Sequence, residues 1–179
     1  MKTPASEQKS RRTQPFAARR LPWLLALSAL IILIDRFTKS WIASRIQIGD
    51  AISVIPHVLR FTHWTNQGAA FSLFADSANP RLVQWGLIGF SVLVALAVLF
   101  MMIRTGNRLS MTSIALALIF AGALGNVHDR IAYGSVVDFI EVHIFSYHWP
   151  DFNIADSSIV IGACLLVLDN LRSEKNPAH

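Results

Sequence analysis

Four apolar blocks, each long enough to cross a bilayer as a helix, leave this chain few ways to fold. A hydrocarbon core about 30 Å thick needs roughly 20 helical residues. The blocks run from about Leu21 to Ile42, Leu82 to Ile103, Ser110 to His128 and Ile154 to Leu171, and the second contains no ionisable side chain. Of 179 residues, 53% are apolar and only 15% charged, too little polar surface to clothe a soluble core of this size. The first block, behind a basic flank, also fits a cleavable secretory signal. Asp35, Arg36 and Lys39 follow it at once, however, and no small-residue cleavage site does. The expectation is one all-α membrane domain of four transmembrane helices over residues 21–172. It is preceded by a disordered cytoplasmic tail (1–20) and followed by a short cytoplasmic tail (173–179).

The net charge of +5 does not predict a nucleic-acid partner, because of where the bases lie. Six of the sixteen Lys and Arg residues (Lys2, Lys9, Arg11, Arg12, Arg19 and Arg20) precede the first block, the pattern of a cytoplasmic flank. Adding Arg104, Arg108, Arg172 and Lys175 gives ten inside, against Arg45, Arg60, Arg81 and Arg130 outside. Both termini are therefore expected in the cytoplasm, with two outer loops, about Ala43 to Arg81 and Asp129 to Asn153. In the first loop, Ile52 to Ile55, Val58 to Trp64 and the turn-like Asn66-Gln67-Gly68 predict a small sheet at the membrane surface. The second loop carries Phe145, Tyr147, Trp149 and Phe152, suited to an interfacial belt, and a short surface helix is expected within Val136 to Trp149.

Ionisable groups at membrane depth are costly, so each one calls for a reason. The third block ends in Asn126-Val127-His128-Asp129-Arg130 and the fourth opens with Asn153-Ile154-Ala155-Asp156. Each holds an Asn-x-x-Asp unit with both side chains on one helical face. Because one span runs outward and the other inward, Asp129 and Asp156 reach the same side. Ala117, Ala121 and Gly125 recur every four residues as a small-residue seam, and one further step reaches Asp129, which should thus face a neighbouring helix or cleft. Two carboxyls in contact keep one proton between them, so one can activate water while the other protonates a leaving amine, without a metal. The plainer alternative for Asn153 and Asp156 is an ordinary helix start, and for Asp129 a surface ion pair.

Asp35 and Lys39, four residues apart, read as a buried ion pair or as groups lining a cleft. Asp138, Glu141 and Asp151 are further carboxylates on the outer side that chemistry alone does not exclude, although their place in the second loop makes solvation the default. The histidines His57, His63, His143 and His148 are scattered in loops with no metal-binding spacing, and no metal or other cofactor is expected. The single Cys164 permits no intrachain disulfide and reads as packing.

Five blocks in order then resemble one family. They are Asp35-Arg36-Phe37-Thr38-Lys39, Asn66-Gln67-Gly68-Ala69-Ala70-Phe71-Ser72, Gly122 through Arg130, Val136-Val137-Asp138-Phe139-Ile140, and Phe152-Asn153-Ile154-Ala155-Asp156-Ser157. With them the chain resembles the bacterial lipoprotein signal peptidases (signal peptidase II), membrane aspartic peptidases of the cytoplasmic membrane. The resemblance covers nearly everything beyond the N-terminal tail. It implies four spans, an extracytoplasmic β-cradle and a short surface helix. It also implies that Asp129 and Asp156 are catalytic, with Asp35, Lys39, Asn66, Gly68, Asn126, Arg130 and Asn153 supporting or lining the site. The implied substrate is a diacylglyceryl-modified prolipoprotein arriving through membrane lipid, cut on the amino side of its lipidated cysteine by a monomeric enzyme. Arg130 would hold a lipid head group or a backbone carbonyl. Ala121 stands where the family often has glycine, and His128 fills a variable position.

Two other classes compete. A small transporter or channel component would use Asp35, Asp129 and Asp156 for ions, but needs carboxylates reaching both sides of the membrane. A Ser/Lys peptidase would need Ser40 and Lys39 to meet, although adjacent helical residues diverge by about 100°.

Overall fold

The computed structural model describes residues 20–68, 79–105, 109–145 and 147–175. Residues 1–19 with five of the six N-terminal bases, Arg108, the stretch Ala69 to Ser72 of the second motif and residues 176–179 lie outside the described residues. The described chain forms α1 (Leu21–Arg45), β1 (Ala51–Ile55), β2 (Leu59–Asn66), α2 (Pro80–Thr105), α3 (Met111–Tyr133), β3 (Val136–Ile144), β4 (Tyr147–Phe152) and α4 (Ile154–Lys175). All four helices are long and apolar enough to cross a membrane. The protein is multi-pass, and α4 runs on past the expected boundary into the C-terminal segment.

Local chemistry sets the helix ends. Pro22 sits in the first turn of α1, where its missing N–H costs no bond. The Ser110 side chain accepts from Ser113 N–H and Ser113 answers in a reciprocal cap, starting α3. Gly134, at φ 77°, ends α3 in the left-handed conformation that a Cβ would disfavour. In α3, more than half of the span window is buried, so it is the central helix, while α1, α2 and α4 leave Leu33, Leu93, Leu96 and Val167 exposed in the manner of lipid-facing surface.

Two stripes of small residues on α3 decide what it touches. Along one, Ser28 Oγ of α1 donates to Ala117 O at 2.9 Å, and a Cβ on Gly125 would lie 3.1 Å from Asp35 Oδ2, so this stripe faces α1. Along the other, a Cβ on Gly122 would meet Ala155 O at 2.3 Å, and one on Gly162 of α4 would meet Ala115 O at 2.7 Å. Only glycine at these positions lets α3 and α4 approach so closely.

The two interhelical loops α1–α2 and α3–α4 leave one end of the bundle and together build a single antiparallel sheet in the order β1-β2-β3-β4. β2 pairs with β3 from Leu59↔Val142 to Asn66↔Val136, and a small core of Ile42, Ile46 and Phe139 fastens the sheet to the end of α1. The short helix expected within Val136 to Trp149 does not form, because that segment is the β3–β4 hairpin. The run Val-Val-Asp-Phe-Ile-Glu-Val-His-Ile is rich in β-branched residues that suit a pleated, half-buried surface, and β2 supplies the pairing edge.

Candidate active site

Between the β3–β4 hairpin and the facing sides of α3 and α4 lies an open cavity of about 640 Å³. Its polar lining is Asn66, Asn126, Arg130, Asp138, Asp151, Asp156 and Ser157, and much of the remainder is apolar, including Val142, Ile144, Trp149, Phe152, Ile159 and Val160. Val136, Asp138, Val142 and Ile144 of β3 line it, following strand alternation except at Ile140, which packs against the Ile42, Ile46 and Phe139 core beside a break in register.

Asparagines hold the two carboxylates deep in this cavity. Asp156 Oδ1 accepts from Asn126 Nδ2 at 2.7 Å, and its Oδ2 accepts from Asn153 N at 3.3 Å, while Asn153 Oδ1 accepts from Asp156 N at 2.9 Å. The helix-start reading of Asn153 and Asp156 is thus correct, and the same two residues also bear on the cavity. Asn153 Nδ2 donates to Asp138 Oδ1 at 2.8 Å, and Asn66 Nδ2 donates to Asp138 Oδ2 at 3.0 Å. One asparagine therefore touches both carboxylates. Burial pushes the Asp138 carboxyl up to about 7; the negative charge of Asp156 adds to the rise, and the two asparagine donors only partly offset it.

The other expected residues fall around this pair. Gly68 N donates to Asn66 Oδ1 at 2.9 Å, and Arg130 Nη2 donates to Gly68 O at 3.0 Å, so Arg130 takes a backbone carbonyl of its own chain. Arg130 Nε is buried and makes no hydrogen bond among the described residues.

Asp129 is elsewhere. It is 1% exposed, does not line the cavity, and is held by Arg36 and by Lys39, whose Nζ is 2.7 Å from Asp129 Oδ2. Lys39 also donates to Asp35 Oδ2 at 2.7 Å and to Asn126 Oδ1 at 3.2 Å. Asp35 Oδ1 in turn accepts from Ala155 N at 2.9 Å, capping α4 from α1. The seam Ala117, Ala121, Gly125, Asp129 does face a neighbouring helix, but that helix is α1, whereas Asn126 and Arg130, one residue further round, face α4. The structure therefore does not bring Asp129 to Asp156 at the cavity; it brings Asp138 there.

Asp138, for which loop position makes solvation the default although chemistry alone does not exclude it, is buried, and period-two alternation from Val136 to Ile144 sets it among apolar neighbours on one face. Ser40 is exposed while Lys39 is buried, so these two side chains point apart. The histidines are less scattered than expected: His143 and His148 pair across β3 and β4 beside Glu141.

Comparison with known proteins agrees with the geometry. A family described as "Signal peptidase (SPase) II" matches residues 27–172. The chain is 42% identical over 153 residues to a lipoprotein signal peptidase of Syntrophus aciditrophicus, covering 84% of this chain and 93% of that one. It is 39% identical over 156 residues to that of Solibacter usitatus, with 86% and 93% covered. A solved bacterial membrane enzyme superposes with a TM-score of 0.79 at 34% identity, over 88% of this chain and 93% of its own. A four-span bundle with a small sheet at one end, the motif residues Asn66, Asn126, Arg130, Asp138 and Asp156 lining one cavity, and these matches together place the chain in the lipoprotein signal peptidase family, signal peptidase II.

Proposed function

We propose that this chain is an aspartic endopeptidase that removes the signal peptide from diacylglyceryl-modified prolipoproteins, cutting on the amino side of the lipidated cysteine, with Asp138 and Asp156 as its acid–base pair. The observation that carries this is the shared position of the two carboxyls in one apolar-walled cavity, linked through Asn153. The pair holds one proton near neutral pH, and burial favours its residence on Asp138. Asp156 takes a proton from the water that attacks the scissile carbonyl. Asp138 polarises that carbonyl and then gives its proton to the departing amine as the C–N bond breaks. The two carboxyls supply both proton transfers, so the step asks for no metal.

Asn66, Asn126 and Asn153 orient the pair, and Arg130, with a buried Nε–H to spare, binds a substrate carbonyl or head-group oxygen. Asp35, Lys39 and Asp129 form the ionic clamp that fixes α1 against α3 and α4. The walls formed by Ile159 and Val160 on α4 and Trp149 on β4 suit acyl chains arriving from membrane lipid. The site opens at the outer face of the bacterial inner membrane, both termini are cytoplasmic, and the enzyme works as a monomer. Incubating purified protein with a synthetic diacylglyceryl-cysteine precursor and mapping the products by mass spectrometry tests the specificity. Cleavage before the lipidated cysteine is expected. Equal cleavage of the unlipidated peptide would refute the substrate assignment.

A further inference from the structure

On the other face of β3 from the cavity lining, Glu141 and His143 converge with His148 of β4, and Asp151, which also lines the cavity, lies beside them; the proteolytic chemistry uses none of the four. His143 and His148 are register partners across β3 and β4, with ring centroids 5.2 Å apart. Glu141 Oε1 lies 3.4 Å from His143 Nε2 and 2.8 Å from His148 Nε2, and His148 Nε2 lies 3.5 Å from Asp151 Oδ1. We propose that Glu141, His143 and His148, with Asp151 beside them, form a binding site for one divalent transition-metal ion of the zinc class on the β3–β4 hairpin.

Distances, support and orphaned atoms each point to this. Ligands held 2.0–2.2 Å from a tetrahedral zinc lie about 3.3–3.6 Å from one another, which matches the 3.4 Å between His143 and Glu141, and the ligand atoms of Glu141, His143 and His148 all lie within 4.8 Å of one another. The His148–Glu141 contact, at 2.8 Å, must lengthen when an ion enters between them. Both carboxylates are held by further groups, as carboxylates at metal sites commonly are. Arg60 grips Glu141 through Nε on Oε2 and through Nη2 on Oε1 at 2.8 Å, and Thr62 Oγ1 donates to Asp151 Oδ2 at 3.0 Å, leaving Oδ1 toward the histidines.

An ordinary imidazolium–carboxylate network is the competing explanation. It would leave the buried polar atoms well hydrogen-bonded, yet His143 Nε2, 3.4 Å from Glu141 Oε1, and Asp151 Oδ1, 3.5 Å from His148 Nε2, are both buried and make no well-formed hydrogen bond among the described residues. Two imidazoles with carboxylates suit zinc, cobalt or copper better than magnesium or calcium, which prefer all-oxygen sites. His148, whose side chain is 54% exposed, gives the ion a path from solvent. An ion there would pin together the two strands whose other side chains, Val142, Ile144, Trp149 and Phe152, wall the cavity.

The test uses tag-free, full-length protein in detergent, stripped with a chelator and titrated with Zn²⁺ by calorimetry and with Co²⁺ by visible absorption. Wild type should bind one ion per chain, give the intense bands of four-coordinate cobalt and gain thermal stability with zinc. A His143→Ala/His148→Ala double variant should lose affinity at least about 100-fold and show no thermal gain, and Asp151→Asn should fall about 10–100-fold short of wild type. Circular dichroism of the variants verifies folding. Sub-stoichiometric binding by wild type, equal binding by the folded double variant, or a six-coordinate cobalt spectrum would each overturn the site.

Discussion

Asn153 Nδ2 donates to Asp138 Oδ1 across 2.8 Å, tying the first residue before α4 to the middle of β3. Through its backbone N–H and side-chain oxygen the same residue caps α4 at Asp156. The helix start and the carboxylate pair are thus one structure, and damage to one reaches the other.

Asn153→Ala should lower stability and activity together. It removes a helix cap, worth about 0.5–2 kcal/mol, and leaves Asp138 with one donor in place of two. Thermal unfolding in detergent should show the loss, and kcat should fall by more than that change in folded fraction explains. A variant with lowered Tm but unchanged kcat would separate the cap from the chemistry.

Lys39→Met should act chiefly on stability. Lys39 is 2% exposed and neutralises Asp35 and Asp129, and removing one partner of a buried ionic group costs about 3–5 kcal/mol. Asp129→Asn should be milder, because Asp35 still pairs with Lys39, and should lower Tm while leaving measurable turnover. Chemical denaturation beside initial rates distinguishes the two effects.

The pH dependence has a definite sign. With the Asp138 carboxyl held at about 7 in the fold and in the ordinary carboxylate range when unfolded, the folded chain binds more protons between those values. Stability should therefore fall as pH rises through that window and level off above about 7, and Asp138→Asn should flatten the slope. kcat/KM should decline on the alkaline side as the shared proton is lost. A rate that rises steadily from pH 6 to about 8 would contradict protonated Asp138 as the acid.

Gly122→Ala should disturb the site without touching it. Its Cβ would lie 2.3 Å from Ala155 O, the residue before Asp156, so α3 and α4 must part. Overpacking of this kind costs about 1–3 kcal/mol, read by thermal unfolding. Gly89, with nothing near its Cβ position, should tolerate the same change.

The membrane helices were legible because their signal is long: about twenty apolar residues have few alternatives in water or lipid. The seam through Ala117, Ala121 and Gly125 was legible as a helix contact, but sequence spacing names the face and not the neighbour. Which helix fills that face depends on Arg36 and Lys39 reaching Asp129 from α1. The pairing of Asp138 with Asp156 was hidden for a related reason. It rests on β2 from the first outer loop recruiting Val136 to Val142 into a sheet, a long-range contact that local polarity in a loop does not announce. The register His143↔His148 was hidden in the same way, since cross-strand neighbours share no fixed sequence spacing.

The most direct test is cleavage of the lipidated precursor by wild type, Asp138→Asn, Asp156→Asn and Asp129→Asn, each verified as folded. Loss of the general acid or base should cost about 10²–10⁴-fold in kcat, so Asp138→Asn and Asp156→Asn should be nearly inactive while Asp129→Asn keeps measurable turnover. Near-normal cleavage by folded Asp138→Asn, with Asp129→Asn dead, would contradict the Asp138–Asp156 pair and return Asp129 to the chemistry.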